Sequence, residues 1–202
     1  AAMAYRDELT GLRNRRHFTE RLAEEISRSR RHDTAFSIIS VDVNDFKTLN
    51  DSRGHAAGDL ALARVARFLV LMTRAEDVCC RVGGDEFIIL LPDTNTEQCA
   101  CAIRRMRERM HILTDVGLSP RGLALGYATW LATDDEEAIL ARADRQMYDD
   151  KREGHEVASV VGATDIQAHP TSPANLSSRR RRDVKLRIDV DDGAQLREGR
   201  GP

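Results

Sequence analysis

The sequence predicts an α+β fold with a central, mainly antiparallel sheet flanked by helices, and three observations carry that prediction. Apolar segments of two kinds alternate along the chain, some β-branched and strand-like, others with apolar residues at helical spacing. Two neighbouring short strands are separated by a Gly-rich connection that reads as a hairpin. The resulting order, βαββαβ with extra helices, is that of a ferredoxin-like layer arrangement.

Taken in order, Phe18, Leu22 and Ile26 fall four apart and predict an opening helix with a narrow apolar stripe. Phe36 to Val43 is β-branched and reads as a strand. Leu62, Val65, Ala66, Leu69 and Met72 keep helical spacing. Val78 to Val82 and Phe87 to Leu91 read as the two hairpin strands around Gly83-Gly84-Asp85-Glu86. Ile103, Met106 and Met110 mark a further helix, and Leu123 to Trp130 a strand in which Gly126 signals close backbone approach. The last helix is expected to start at a capping box, Asp134 with Glu137, and to bury Leu140, Met147 and Tyr148. Val157 to Val161 is expected to close the sheet as an edge strand.

Composition bounds the function. The chain has 202 residues with net charge −2, 41% hydrophobic and 32% charged, enough for one core-bearing domain with a tail. No apolar run exceeds five residues, so neither a membrane span nor a signal-peptide core is expected. Near-neutral charge excludes a wholly basic nucleic-acid coat, and no nucleic-acid partner is expected. The four cysteines, Cys79-Cys80 and Cys99-x-Cys101, lack the C-x2-C spacing of zinc or redox motifs. They read as reduced, packed thiols, which favours a cytoplasmic location.

Residues 1–161 form the expected domain. From Gly162 to Pro202 there are eleven hydrophobic residues in forty-one and no aromatic, so an Arg-rich, disordered tail is expected. Its run Arg179 to Arg182 reads as solvated, with an anionic partner as the alternative, and Val184 to Val190 alternates like a strand that lacks a mate.

Two acidic clusters sit at the ends of apolar strands: Asp42, and Asp85-Glu86 in the hairpin turn. Should the hairpin pair beside Phe36–Val43, Asp42 and Asp85 converge, and neighbouring carboxylates need a cation between them. A few carboxylate oxygens with room for substrate phosphates are what Mg²⁺ prefers. Two such ions about 3.5–4 Å apart can clamp both oxygens of an in-line phosphoryl displacement. Gly83 and Gly84 let backbone amides approach a phosphate.

Arg81-Val82-Gly83-Gly84-Asp85-Glu86-Phe87 resembles the signature of the GGDEF domain, the diguanylate cyclase family. Three more blocks are similar to the family and fall in its order: Asp7 to Arg16; Val41 to Asp59, with Phe46-Lys47, Asn50-Asp51, Gly54-His55 and Gly58-Asp59; and Ala143-Asp144 through Met147-Tyr148 and Lys151 to Gly154. The resemblance covers roughly residues 5–161. It implies a nucleotidyl cyclase or polymerase-palm type of α+β fold. It also implies condensation of two GTP into cyclic di-GMP with release of two pyrophosphates, across a homodimer holding one GTP per protomer.

By the same resemblance, Asp42, Asp85 and the carbonyl of Val43 would hold two Mg²⁺ (or Mn²⁺) ions per active site. Glu86 would assist metal placement or activation of the attacking hydroxyl. Asn50 and Asp59 match the guanine-reading positions, where a carboxylate suits the N1–H and N2–H donors of that base; capping of the following helix is the plainer role for Asp59. Phe46, Lys47 and the turn glycines match the phosphate loop, and Lys151 a second phosphate cation. His55 is read as a structural hydrogen-bonder. Arg74 and Asp77 stand in the register of the family's product-inhibition motif, with Arg105 as a third contact; a helix-end salt bridge is the plainer reading of that pair.

Asn44 replaces the family's usual second aspartate, and His155 a phosphate-touching arginine for which Arg152 could compensate. The family normally carries a sensory domain and connecting helix upstream, so this chain is expected to be a fragment or to dimerise by another route. The alternative function is a catalytically weak domain that binds GTP or cyclic di-GMP and regulates a partner; a further one is an interaction module docking through the basic tail.

Overall fold

The computed structural model describes residues 2–164, and the expected tail from residue 165 onward, with the strand-like Val184–Val190, lies outside them. Five strands form one sheet: β1 (Arg13–Asn14), β2 (Ser37–Val43), β3 (Val78–Arg81), β4 (Glu86–Leu91) and β5 (Leu123–Thr129). Five helices accompany them: α1 (Arg15–His32), α2 (Phe46–Arg53), α3 (His55–Met72), α4 (Thr96–Arg109) and α5 (Glu136–Thr164). A 3-10 segment, Met110–Val116, extends α4.

The strand order is β1-β3-β4-β2-β5. The pairs β3–β4, β4–β2 and β2–β5 are antiparallel, and only the two-residue β1 runs parallel to its neighbour. Without β1, this is the ferredoxin-like order that the βαββαβ pattern predicts.

Each face of the sheet builds its own core. Strand residues alternate between faces, so Ile39, Val41, Val43, Phe87 and Ile89 meet α3, α4 and the 3-10 segment. Ile38, Ile88 and Leu90 meet Phe18, Leu22 and Ile26 of α1 with Ile139 and Ala143 of α5. Every residue of β2 is buried, as expected of a central strand covered on both faces.

Several expectations are corrected. Val157–Val161 is not an edge strand but lies within α5, which also takes in Gly162–Thr164. The position it would have filled beside β5 is already occupied. The outward N–H groups of Leu125 and Tyr127 donate to Asp150 Oδ2 (2.8 Å) and Gln146 Oε1 (2.6 Å) of α5. Helix α5 is capped by Asp135, whose Oδ1 accepts from the Ala138 N–H (2.8 Å). Asp134 is instead buried and gripped by Arg142, which reaches both carboxylate oxygens and the Thr129 carbonyl. Tyr148 is exposed (61%), with Leu140 and Met147 half-buried. All four cysteines are free thiols, but Cys101 is exposed; burial pushes Cys79, Cys80 and Cys99 up to about 11, 12 and 12.

Gly126 does bring two backbones together. A Cβ there would run into the main-chain nitrogen of Met147 and the carbonyl oxygen of Ala143, so α5 lies directly on β5.

Candidate active site

The site forms where β2 ends beside the hairpin. In register, Asp42 opposes Glu86 on β4, and the Val43 N–H donates to the Asp85 carbonyl at 3.1 Å. Glu86 therefore begins β4, while Asp85 ends the turn before it. Asp42 is buried to 8% exposure. That burial, together with the charge of Asp85, raises its carboxyl pKa, against a lowering by Lys151. Lys151 donates to Asp42 Oδ1 at 2.6 Å, so the expected phosphate cation rests on a carboxylate here. Glu86 folds back over Gly83, where a Cβ would strike Glu86 Oε2.

Two arginines and an aspartate shape the turn, none of which the sequence reading assigned a role. Arg81 donates to the Gly84 carbonyl through Nε and Nη2 (3.2 and 2.7 Å), and its Nη1 reaches both oxygens of Asp7 (3.1 and 3.2 Å). Arg15 Nε holds the Val82 carbonyl at 2.7 Å. Asp7 is fixed by the Thr10 main-chain N–H and hydroxyl, an aspartate-to-threonine spacing that signals a local side-chain turn. Burial pushes the Asp7 carboxyl up, but the hydrogen bonds from Thr10 and Arg81 outweigh it and hold it below its ordinary value. The motif at Asp7 thus braces the signature turn from behind.

Next to the carboxylates, the chain turns from β2 into α2 through Asp45, which takes a left-handed conformation (φ 56°) and supplies no side-chain cap. The first N–H groups of α2 therefore have no side-chain acceptor, with exposed Lys47 beside them, a geometry suited to phosphate. Phe46 packs against the core. Asn50 crosses from α2 to α3 over Gly58: a Cβ on Gly58 would strike Asn50 Oδ1, and that oxygen is buried with no hydrogen-bond partner. An orphaned acceptor there fits a donor-bearing base edge. Asp59 is exposed in α3, five residues beyond the N-cap Gly54, so it does not cap the helix. His55 is exposed at the start of α3 and makes no side-chain hydrogen bond among the described residues, which corrects its reading as a structural hydrogen-bonder. Asn44 is buried and donates to the Arg121 carbonyl at 2.6 Å, tying the end of β2 to the loop before β5. Arg152 is exposed, and the side chain of His155 lies outside the described residues.

Asp42, Asp85 and the Val43 carbonyl are hard oxygen donors, too few to close a cage, which fits Mg²⁺ completed by water and substrate phosphate. Among the described residues no group of three or more His, Cys, Asp or Glu side chains gathers. A cavity of about 660 Å³ adjoins Glu86 between α1 and α5, with Arg15, Ser40, Asp144 and Arg145 in its walls.

Arg74, Asp77 and Arg105 stand apart from this site, at the other end of β3, and line one cavity of about 280 Å³. Asp77 accepts from the Arg74 main-chain N–H (2.7 Å), so the pair is not joined through the guanidinium as a helix-end salt bridge requires. Arg105 reaches the Met72 carbonyl at 3.4 Å.

The family model described as Diguanylate cyclase, GGDEF domain, matches residues 4–157. The probable diguanylate cyclase DgcC of Escherichia coli K12 is 31% identical over 171 residues, which is 79% of this chain and 44% of that protein. The chain spans less than half the length of the curated relatives it matches first. Among solved structures, diguanylate cyclase SiaD in complex with its activator SiaC from Pseudomonas aeruginosa superposes with TM-score 0.67 at 34% identity, covering 76% of this chain and 61% of that one. The GGDEF domain of DgcB from Caulobacter crescentus in complex with c-di-GMP gives TM-score 0.68 at 25% identity, covering 75% and 92%.

Proposed function

This chain belongs to the GGDEF, diguanylate cyclase, domain family, and from that premise we propose that it condenses two GTP into cyclic di-GMP and two pyrophosphates. The observation that carries the reading is the meeting of Asp42 with the signature turn, fixed by the Val43 N–H bond to Asp85.

Bound at Asp42, Asp85 and the Val43 carbonyl, two Mg²⁺ or Mn²⁺ ions would supply charge neutralisation at the α-phosphate and at the attacking hydroxyl. The chain's own groups do the rest. Asn50 accepts from the guanine edge and Asp59 takes its remaining donors, so an adenine, which lacks the N1–H, leaves both acceptors unmet. The open amides at the start of α2 and the Lys47 ammonium hold the triphosphate. Glu86, hinged over Gly83, stands beside the reacting centre to place a cation or draw the 3′-hydroxyl proton. Arg81 and Arg15 keep the turn carbonyls in place, which holds the signature turn beside the end of β2.

The reaction joins the 3′-oxygen of one nucleotide to the α-phosphorus of the other, with pyrophosphate leaving, and then repeats in the opposite sense. Each protomer offers one set of these residues, so catalysis requires two protomers facing each other. The Arg74, Asp77 and Arg105 cavity suits product feedback: guanidinium groups for phosphate and guanine, and a carboxylate for base N–H donors.

Incubating the protein with GTP and Mg²⁺, followed by mass analysis, tests the proposal. Cyclic di-GMP is the expected product. GTP binding without product, at concentrations where the protein dimerises, favours the nucleotide-binding regulatory module instead.

A further inference from the structure

We propose that Lys151 is a built-in counter-ion that holds the divalent cation's place on Asp42 and must swing off this carboxylate when the cation binds. The inference rests on the metal reading of Asp42 and Asp85 given above and adds an order of events to it. Its basis is geometric. The Lys151 ammonium donates to Asp42 Oδ1 at 2.6 Å, and the two side chains retain only 31% and 12% exposure. A buried carboxylate with a second acid beside it is costly to leave unpaired, and Lys151 is the one basic side chain bonded to Asp42 among the described residues.

The turns of α5 just before Lys151 are anchored. Asp144 accepts from the Ser40 hydroxyl (2.7 Å), Gln146 and Asp150 take the Tyr127 and Leu125 N–H groups, and Gly126 permits backbone contact. Release of Lys151 is therefore a side-chain swing about its four-carbon stem, not a helix movement. A compact ammonium suits this task better than a guanidinium, whose planar fork would grip the carboxylate through two bonds. Once displaced, the ammonium is available to the phosphates that arrive with the cation. Metal loading and phosphate binding are thereby coupled through one side chain.

Mn²⁺ titration of nucleotide-free protein, with electron paramagnetic resonance counting the free ion, tests this without reference to turnover. Lys151→Met should bind Mn²⁺ roughly fivefold more tightly than the parent, because no ion pair has to be broken first. Its melting temperature should also rise more on adding Mn²⁺ than the parent's does. Equal or weaker binding by folded Lys151→Met, with binding by the parent lost in Asp42→Asn, overturns the counter-ion proposal and leaves the metal reading standing. Binding by the parent that survives Asp42→Asn unchanged, or no saturable binding by either the parent or Lys151→Met, overturns the metal reading and this proposal together. Lysine-labelled parent protein gives an independent check should the variant fail to fold: Mg²⁺ alone must shift the Lys151 Nζ resonance, and a resonance unmoved at saturating Mg²⁺ overturns the proposal.

Discussion

Gly126 of β5 and Met147 of α5 touch backbone to backbone, with no room between them for a single methyl group. Because both partners are main chain, neither can rotate aside. Gly126→Ala should lift α5 from the sheet, cost about 3 kcal/mol by thermal or urea unfolding, and move Lys151 away from Asp42.

At Gly58 the obstacle is a side chain, so the outcome differs. The new methyl of Gly58→Ala would collide with Asn50 Oδ1 and press on Phe46 Cζ at 3.1 Å. Alanine favours the α3 helix by up to about 1 kcal/mol, so stability should hold or rise. Guanine-nucleotide affinity should fall by roughly tenfold, as calorimetry would show, because Asn50 no longer presents its acceptor.

Asp85 sits in a half-exposed turn whose shape is held by Arg81 and Arg15. Asp85→Ala should keep the melting temperature within a few degrees while turnover of GTP drops by at least about a hundredfold.

If the cavity at Arg74, Asp77 and Arg105 takes the product, Arg74→Ala should relieve inhibition by added cyclic di-GMP and leave the initial rate intact. Inhibition curves identical to those of the parent would remove feedback from the functional account.

The Asp7–Arg81 pair gives a pH signature. The Asp7 carboxyl titrates below its ordinary value when folded, so its contribution is complete above the unfolded value near 4. That contribution disappears as pH falls through the lower folded value. Urea unfolding of the parent and Asp7→Asn should therefore differ by about 1 kcal/mol at pH 7 and converge toward pH 2.

Much of this was legible in the sequence because its signals are local. Short apolar, β-branched runs and a Gly-rich turn located β2 to β5, apolar spacing located α1, α3 and α4, and Gly126 announced a close approach. The hairpin paired beside β2, as the strand order required, so Asp42 lies opposite Glu86 and the Val43 N–H bonds the Asp85 carbonyl. What escaped depends on distant partners. The β-branched run Val157–Val161 carries a strand's composition, yet nothing near it says that Gln146 and Asp150 already take the N–H groups of β5. The cap slipped by one residue because Asp134 and Asp135 are equally suited locally, and Arg142, eight residues on, claims the first. Helix α2 buries only Leu49, too few apolar positions for a period to show. The resting place of Lys151 on Asp42 spans 109 residues and has no local sign at all.

The side-chain amide and carboxylate that α5 lays along β5 have one more effect. A sheet margin with open hydrogen-bond donors is a template on which a foreign chain can add, by strand exchange or the first step of a fibre. Here two donors of that margin, the Leu125 and Tyr127 N–H groups, are taken by groups of the same polypeptide, and the opposite margin is a strand of two residues. Among the described residues the sheet therefore offers a foreign chain little free margin on which to add.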